Sequence, residues 1–369
     1  MTRPPRSFPS LVFTAALLAW GVAPPGWSGR VREALRADHP NAIDVERMER
    51  GYYETLTDPG RRLDRVGRAK PEPPPTDFGP LTVPVPDVRE YVLKANLSVP
   101  HRGATWATNA RGMRDREYAV DKPEGVFRVA LAGDSIGAGW GVEPDRGFEP
   151  TWERMLDRFA PAEVWNHAVP GLAPGQRWEH FTREGWTSRP DLVVFQGTPA
   201  DFGWDDRKLR SLLPKGVGWD VASYKEGLAV ADARPGGDEE SYKTALRPHR
   251  EAILGGVYRT VAADCRSRGV PSVWLLLPRV GKPTPPADRA RLVGLARGAG
   301  FTRVVDLSDA FDGLDPKALA IGPDDFHPNA AGHALLADRL EESLRQEMTT
   351  RTKLRRPRDP GRPLRGDPR

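Results

Sequence analysis

Short, nearly continuous apolar runs alternate with longer amphipathic stretches from about residue 126 to residue 346. Continuous apolar runs are typical of strands that are buried on both faces of a parallel sheet. The predicted strands are 127–132, 163–165, 192–195, 272–277 and 303–307, and the predicted helices are 148–158, 177–187, 249–268, 287–296 and 330–345. This alternation predicts an α/β domain at 126–347, with a mostly parallel five-stranded sheet between helices and right-handed crossovers.

Two segments depart from this pattern. Residues 81–125 contain short alternating runs, which predict a small N-terminal β-rich extension that packs against the main domain rather than folding alone. Residues 201–245 form a long insert after the third predicted strand, rich in Gly, Trp and charged residues. Loops at the carboxyl ends of parallel strands line the ligand crevice, so the insert is interpreted as a lid or substrate wall, with a surface excursion as the alternative.

The N-terminal region indicates export. Arg3 and Arg6 precede an apolar run at 11–23, which as a helix spans about 20 Å, less than the roughly 30 Å of a bilayer core. We therefore predict a signal peptide or an uncleaved signal anchor at 1–28, and hence a periplasmic or extracellular location with or without a membrane tether. Residues 29–80 are predicted to be a helical connector followed by a proline-rich spacer.

The net charge of +5 belongs to the C-terminal tail. Residues 351–369 contain eight basic and two acidic residues, so the rest of the chain is about neutral. The tail has almost no apolar residues, which predicts that 348–369 is disordered. No nucleic-acid partner is expected, and the oligomeric state is left open.

A serine and an Asp/His pair supply the candidate chemistry. Ser135 follows a predicted strand in Gly133-Asp134-Ser135, and Asp324 and His327 lie three residues apart before the last predicted helix. A serine hydroxyl becomes a nucleophile when a base removes its proton, and that base needs a partner that sets its tautomer. Taken singly, Ser135 would be a helix-capping serine and the Asp/His pair a capped loop.

These two blocks, in this order, resemble the first and last blocks of the SGNH (GDSL-type) hydrolases. The resemblance implies a three-layer α/β/α ester hydrolase in which Ser135 is the nucleophile, His327 the general base and Asp324 the orienting carboxylate. The segment Asn166-His167-Ala168-Val169-Pro170-Gly171 resembles the second block. It implies an oxyanion hole formed by the backbone N–H groups of Ser135 and Gly171.

The third block departs from the family pattern G-x-N-D. The sequence reads Gln196-Gly197-Thr198-Pro199-Ala200-Asp201, so Ala200 stands where the family has an oxyanion-binding asparagine. Loss of one such donor costs about 3–4 kcal/mol of transition-state stabilisation. Three alternatives follow for an active enzyme: Thr198 or Gln196 substitutes, the insert brings another donor, or the enzyme is slow. A non-catalytic member of the family is the fourth.

Further candidates concern the substrate. We assign Asn166, Arg114 and Asp201 as candidate substrate-binding residues, with a surface ion pair as the alternative for Arg114. Four tryptophans near the predicted crevice are candidates for stacking on sugar rings, with ordinary core packing as the alternative: Trp140, Trp178, Trp186 and Trp204. No metal-binding spacing or phosphate-binding loop is present in the sequence, so no cofactor is expected.

The predicted function is therefore hydrolysis of a small-molecule or glycan ester, with an acyl or acetyl group on a carbohydrate as the favoured substrate. Two alternatives remain open. One is an O-acyltransferase on the same fold, and the other is a catalytically degenerate binding or assembly protein, suggested by Ala200.

Overall fold

The computed structural model of the protein describes residues 78–355. The predicted signal segment at 1–28, nearly all of the connector at 29–80 and residues 356–369 of the tail lie outside the described residues. Within the described part, no helix is both long enough and apolar enough to cross a membrane.

A five-stranded parallel sheet forms the centre of the main domain, as predicted. Its strands are β5 (Phe127–Ala132), β6 (Ala162–Asn166), β7 (Leu192–Gly197), β8 (Ser272–Leu276) and β9 (Arg303–Asp306), in the spatial order β6-β5-β7-β8-β9. The strand order reverses at β5, because β6 pairs with one edge of β5 and β7 pairs with its other edge. Such a switch point places the carboxyl end of β5 beside the ligand crevice of an open α/β sheet.

Helices cover both faces of the sheet. They are α1 (Phe148–Asp157), α2 (Pro174–Glu184), α3 (Trp204–Leu212), α4 (Ala222–Val230), α5 (Glu239–Leu246), α6 (Arg250–Ser267), α7 (Pro286–Ala299), α8 (Pro316–Leu319) and α9 (Ala330–Arg355). Alternate residues of β5 enter different cores: Val129 and Leu131 pack with α1 and α9, while Ala130 and Ala132 face α2 and α6. The three-layer α/β/α architecture follows from this double burial.

The insert at 201–245 is more regular than the sequence suggests. It contains α3, α4 and α5, and it contributes Leu209, Tyr224 and Leu246, each less than 1% exposed, to the core against α6. The expected lid or surface excursion is therefore wrong for most of this segment, because its apolar residues complete one helical layer.

The N-terminal extension forms two antiparallel hairpins, as its alternating pattern predicts. β1 (Thr82–Pro84) pairs with β2 (Tyr91–Leu93), and β3 (Ser98–His101) pairs with β4 (Ala104–Ala107). Both hairpins pack onto the main domain through a third core, which includes Leu93, Trp106 and Leu172. The extension therefore lies against the loops that follow β5 and β6.

The last helix is longer than predicted. α9 continues to Arg355 and so includes the first eight residues of the segment expected to be a disordered tail.

Candidate active site

Ser135 lies in a tight turn directly after β5 and is partly exposed. The Asp134 carboxylate fixes this turn, since its Oδ1 accepts hydrogen bonds from the Ile136 N–H (3.0 Å) and from Gln196 Nε2 (2.6 Å). The Asp134 carbonyl also accepts the Ala138 N–H at 2.8 Å. These bonds hold the serine hydroxyl at the edge of the sheet.

Two glycines of this turn are required by a neighbouring strand. A Cβ at Gly133 or at Gly137 would come within 2.4 Å of Gln196 Oε1, and each would also meet the Ala168 Cβ. The glycines therefore allow β7 and the second block to approach the serine turn closely.

Ser135 and His327 meet across the site. The His327 Nε2 atom lies 2.8 Å from Ser135 Oγ, and the His327 Nδ1 atom lies 2.6 Å from Asp325 Oδ1. The Asp325 carboxylate can only accept a hydrogen bond, so the ring proton lies on Nδ1 and donates to it, and Nε2 is left to accept the serine proton. This arrangement is what a serine nucleophile with a general base requires.

The carboxylate beside the imidazole belongs to Asp325, not to Asp324 as the family spacing implied. Asp324 is exposed. The Asp325 side chain points forward along the chain, toward His327. It also accepts a hydrogen bond from the backbone N–H of His327 at 2.9 Å. The expectation for Asp324 is therefore wrong in this geometry, since the local Asx turn places the residue two before the histidine against the ring.

Neighbouring contacts hold the histidine loop. The Phe326 ring stacks on the His327 imidazole with ring centroids 4.3 Å apart, and the Phe326 carbonyl accepts the Val280 N–H. Asn329 caps the first turn of α9 by accepting the N–H groups of Ala331 and Gly332. The loop that carries the imidazole is thus fixed at both ends.

The β3–β4 hairpin reaches this site through its tip. Arg102, at the turn, lies 3.4 Å from Asp325 Oδ2 and stands over the Trp140 ring. Burial alone would raise the pKa of the Asp325 carboxyl, but hydrogen bonds from His327, followed by the charge of Arg102, hold it below its ordinary value. Asp325 is therefore ionised at neutral pH.

Gly171 of the second block is the other predicted oxyanion donor. It has a φ of +78°, a left-handed conformation that other residues rarely adopt. Within residues 78–355, the backbone N–H groups of Ser135 and Gly171 donate no hydrogen bond to the protein. Neither predicted donor is therefore used by the described part of the fold.

Comparison with known proteins identifies the family of the chain. A sequence profile of the GDSL-like Lipase/Acylhydrolase family matches residues 131–335, more than half of the chain. The chain belongs to this family. Comparison with curated proteins gives no match.

Similar folds occur among solved structures at low sequence identity. TesA is 15% identical with a TM-score of 0.41, covering 59% of this chain and 98% of that one. A lipase/acylhydrolase from Enterococcus faecalis is 16% identical with a TM-score of 0.38, covering 60% and 96%. The acetyl xylan esterase AlAXEase is 15% identical with a TM-score of 0.37, covering 59% and 100%.

In this GDSL-like protein, residues of the third block take part in a buried ionic network. The Arg177 guanidinium binds Asp201 (Nη2 to Oδ1, 2.8 Å) and Asp134 (Nη2 to Oδ2, 3.3 Å), and it also donates to two backbone carbonyls. Burial alone would lower the pKa of Arg177, but the two carboxylates raise it above its ordinary value. The guanidinium is therefore permanently charged and fully hydrogen-bonded.

Both proposed substitutes for the missing asparagine are buried and bind carboxylates of this network. Gln196 Nε2 donates to Asp134, and Thr198 Oγ1 lies 3.1 Å from Asp201 Oδ1. Ala200 follows in a short 3₁₀ turn and carries no donor on its side chain. The two predicted substitutes are thus committed to the ionic network.

The candidate substrate-binding residues are buried rather than presented to a ligand. Asn166 is 2% exposed, and its side chain joins the Gly137 carbonyl, Glu149 and the Ala168 N–H. Asp201 is held by Arg177, as described above. Arg114 is 4% exposed and donates to three backbone carbonyls, so neither a substrate contact nor a surface ion pair describes it.

Three of the four tryptophans are also core residues. Trp140, Trp178 and Trp204 are each at most 2% exposed, while Trp186 is partly exposed and packs at the margin of a core. Trp140 lies between the hairpins and the His327 ring, at 6.0 Å between ring centroids. The core-packing alternative is therefore the correct one for these three tryptophans.

Sequence reasoning missed Asp325, Arg102 and Arg177. Asp325 is adjacent to the chosen aspartate, so its position two residues before the histidine was a usable signal. Arg102 and Arg177 act through contacts far apart in sequence, and nothing local marks them.

Proposed function

We propose that this protein is a serine ester hydrolase that acts through an acyl-enzyme intermediate, with Ser135 as nucleophile, His327 as general base and acid, and Asp325 as orienting carboxylate. The observation that carries the proposal is the pair of contacts on one imidazole, 2.8 Å to Ser135 Oγ and 2.6 Å to Asp325 Oδ1. The family supports hydrolysis of esters in general.

In the first half-reaction, Ser135 Oγ attacks the acyl carbon while its proton passes to His327 Nε2. The carbonyl π electrons move to oxygen, and the resulting oxyanion accepts the backbone N–H groups of Ser135 and Gly171. Collapse of this intermediate breaks the bond to the alcohol oxygen, which takes the proton from the imidazolium. The ionised Asp325 stabilises that imidazolium without taking its proton.

In the second half-reaction, water replaces the alcohol. His327 Nε2 removes a proton from water as the water oxygen attacks the acyl carbon, and the second oxyanion uses the same two N–H donors. Collapse returns the proton to Ser135 Oγ and releases the carboxylic acid. Ser135 and His327 are then restored to their starting protonation states.

We propose a short acyl group, such as acetyl, on a carbohydrate alcohol. The side of Gly171 is crowded, because an added Cβ would lie 2.5 Å from Tyr91 Oη and 3.4 Å from Phe78 Cζ. A long acyl chain has little room on this side. Export, proposed from the apolar run at 11–23, would bring the protein to extracellular or cell-wall glycans. Activity on p-nitrophenyl acetate well above that on the octanoate would support the short acyl group.

The decisive experiment is covalent labelling with a fluorophosphonate probe. We expect the purified protein to be labelled at neutral pH, the Ser135→Ala variant to remain unlabelled and the His327→Ala variant to be labelled far more slowly. A wild-type protein that stays unlabelled, while a known serine esterase reacts in the same buffer, would reject the hydrolase.

One observation favours a second candidate, a binding or assembly protein that has kept the fold. Gln196 and Thr198 are committed elsewhere and Ala200 has no donor, so the oxyanion site has lost one of the family's side-chain donors. This candidate predicts glycan binding without labelling of Ser135. An acyltransferase would instead label normally, and a sugar acceptor would divert the acyl group from water in a product assay.

A further inference from the structure

We propose that Tyr91 of the N-terminal extension is a positioning residue that orients the Pro170–Gly171 peptide, whose N–H is an oxyanion donor in the proposed hydrolysis. This inference rests on the proposed function and adds a component from outside the matched family region, residues 131–335. The Tyr91 Oη atom donates a hydrogen bond to the Pro170 carbonyl oxygen at 2.9 Å, across 79 residues of sequence.

The hydrogen bond from Tyr91 acts on the Gly171 N–H through one rigid peptide unit. The Pro170 carbonyl and the Gly171 N–H belong to the same planar peptide, and in a trans peptide they point in opposite directions. A hydrogen bond that fixes the carbonyl therefore fixes the direction of the N–H. It also polarises the peptide, which strengthens the N–H as a donor.

Burial keeps Tyr91 in its donating form. Loss of water around the hydroxyl raises the pKa of Tyr91 above its ordinary value, so the phenol stays protonated throughout the range in which an esterase works. The hydrogen bond to Pro170 is thus independent of pH in that range.

The Tyr91 ring is held by an aromatic series that leads to the catalytic histidine. Its ring stacks on Phe78 at 5.8 Å between centroids, Phe78 contacts Trp140 at 5.2 Å, and Trp140 lies 6.0 Å from His327. The hairpin β1–β2 therefore contacts the loop of Gly171 directly and is connected to His327 through Phe78 and Trp140.

The orientation of the Gly171 N–H is more important because the third block lacks the family's asparagine. With Ala200 lacking a donor, the proposed transition state relies on the N–H groups of Ser135 and Gly171, so an error in the direction of either one is not compensated. A preorganised donor stabilises a developing charge because it needs no reorientation during the reaction.

The test compares two tyrosine-to-phenylalanine variants. Tyr91→Phe removes the hydroxyl and keeps the ring. Tyr242→Phe is the matched control, since its hydroxyl donates to the Arg234 carbonyl at 2.8 Å within the insert and contacts an aromatic neighbour, Trp219. We expect Tyr91→Phe to lower kcat about tenfold with KM unchanged, the loss for one aligned hydrogen bond, and Tyr242→Phe to keep the wild-type kcat.

A second readout separates positioning from folding. The fluorophosphonate inactivation rate should fall by the same factor in Tyr91→Phe, because phosphonylation also places charge on the oxyanion site, while the pH–rate profile keeps its shape. Phe78→Leu, which loosens the ring and leaves the hydroxyl, should give a smaller loss. If wild-type protein is labelled and Tyr91→Phe reacts at the wild-type rate, the role of Tyr91 is rejected and the hydrolase stands. If wild-type protein is not labelled, both are rejected.

Discussion

The two sides of Ser135 differ in how their polar groups are used. On the histidine side, hydrogen bonds run from Asp325 through the imidazole and end on the serine hydroxyl, which is partly exposed. On the β7 side, Gln196 and Asp201 bind Asp134 and Arg177, and this network closes on itself. The carboxylates of both sides are hydrogen-bonded, but only the first side ends on a partly exposed hydroxyl.

The difference indicates that, within one fold, the residues proposed for proton transfer can be kept while those expected for charge stabilisation are changed. In the proposed mechanism, the serine and histidine that move a proton are those expected of the family, and Asp325 takes the place expected for Asp324. The residues after β7 instead hold strands and loops together, so the proposed oxyanion relies on backbone donors. The following predictions test this division, beginning with the largest effect.

The first prediction concerns the identity of the orienting carboxylate. Asp325→Ala should lower kcat/KM for a p-nitrophenyl ester about 10⁴-fold, because the imidazole loses the partner that sets its tautomer. The neighbouring Asp324→Ala is the control and should stay close to wild type, since that side chain is exposed. A large loss in Asp324→Ala alone would restore the original family spacing.

The second prediction concerns stability on the β7 side. Arg177→Met should lower the free energy of unfolding by about 3–5 kcal/mol, because it leaves two buried carboxylates without their cation. Arg183→Met on the same helix, whose partner Glu179 is at the surface, should change it by less than about 1 kcal/mol. Urea unfolding measures both, and equal losses would show that the network is not specifically stabilising.

The third prediction restores a donor to the depleted side. Ala200→Asn should raise kcat about tenfold, which is part of the contribution of a full oxyanion donor. Ala200→Leu, of similar size and without a donor, should give no increase. An unchanged or lower rate in Ala200→Asn would mean that another group already occupies that position.

The fourth and smallest effect concerns pH. Arg102 helps to hold the pKa of Asp325 below its ordinary value, so Arg102→Ala should raise that pKa. Activity present at neutral pH should then be lost at a higher pH on acidification, and the displacement should be small because the Arg102–Asp325 pair is partly exposed. Arg89→Ala, which breaks a comparable pair with Asp87, should leave the profile unmoved. A shift of equal size in both variants would point to a general charge effect.

The sheet was predictable because burial on both faces imposes a pattern that any reader of the sequence can detect. The runs that form β5 and β7 are wholly apolar or nearly so, and Gly269 and Gly300 follow α6 and α7 in left-handed conformations. The helices of the insert escaped detection because their apolar residues are sparse among charged ones. Leu209 and Tyr224 are recognisable as core residues only when α6 is seen to cover them.

The candidate site was predictable as far as short motifs reach. Ser135 and His327 come together as the two separated blocks require. Asp325 differs from the expected aspartate because a local turn, not spacing, decides which carboxylate meets the ring. The contact of Tyr91 with Pro170 depends on how the hairpins dock, and such docking has no local sequence pattern.

The contact of Gln196 with Gly133 and Gly137 constrains how this protein can change over generations. Alanine at either glycine would need a shorter side chain at 196, and a shorter side chain there would leave the Asp134 N–H without its acceptor. Two positions of the turn after β5 and one position of β7 are therefore linked, so a lineage that loses either glycine must also accommodate the Gln196 side chain elsewhere.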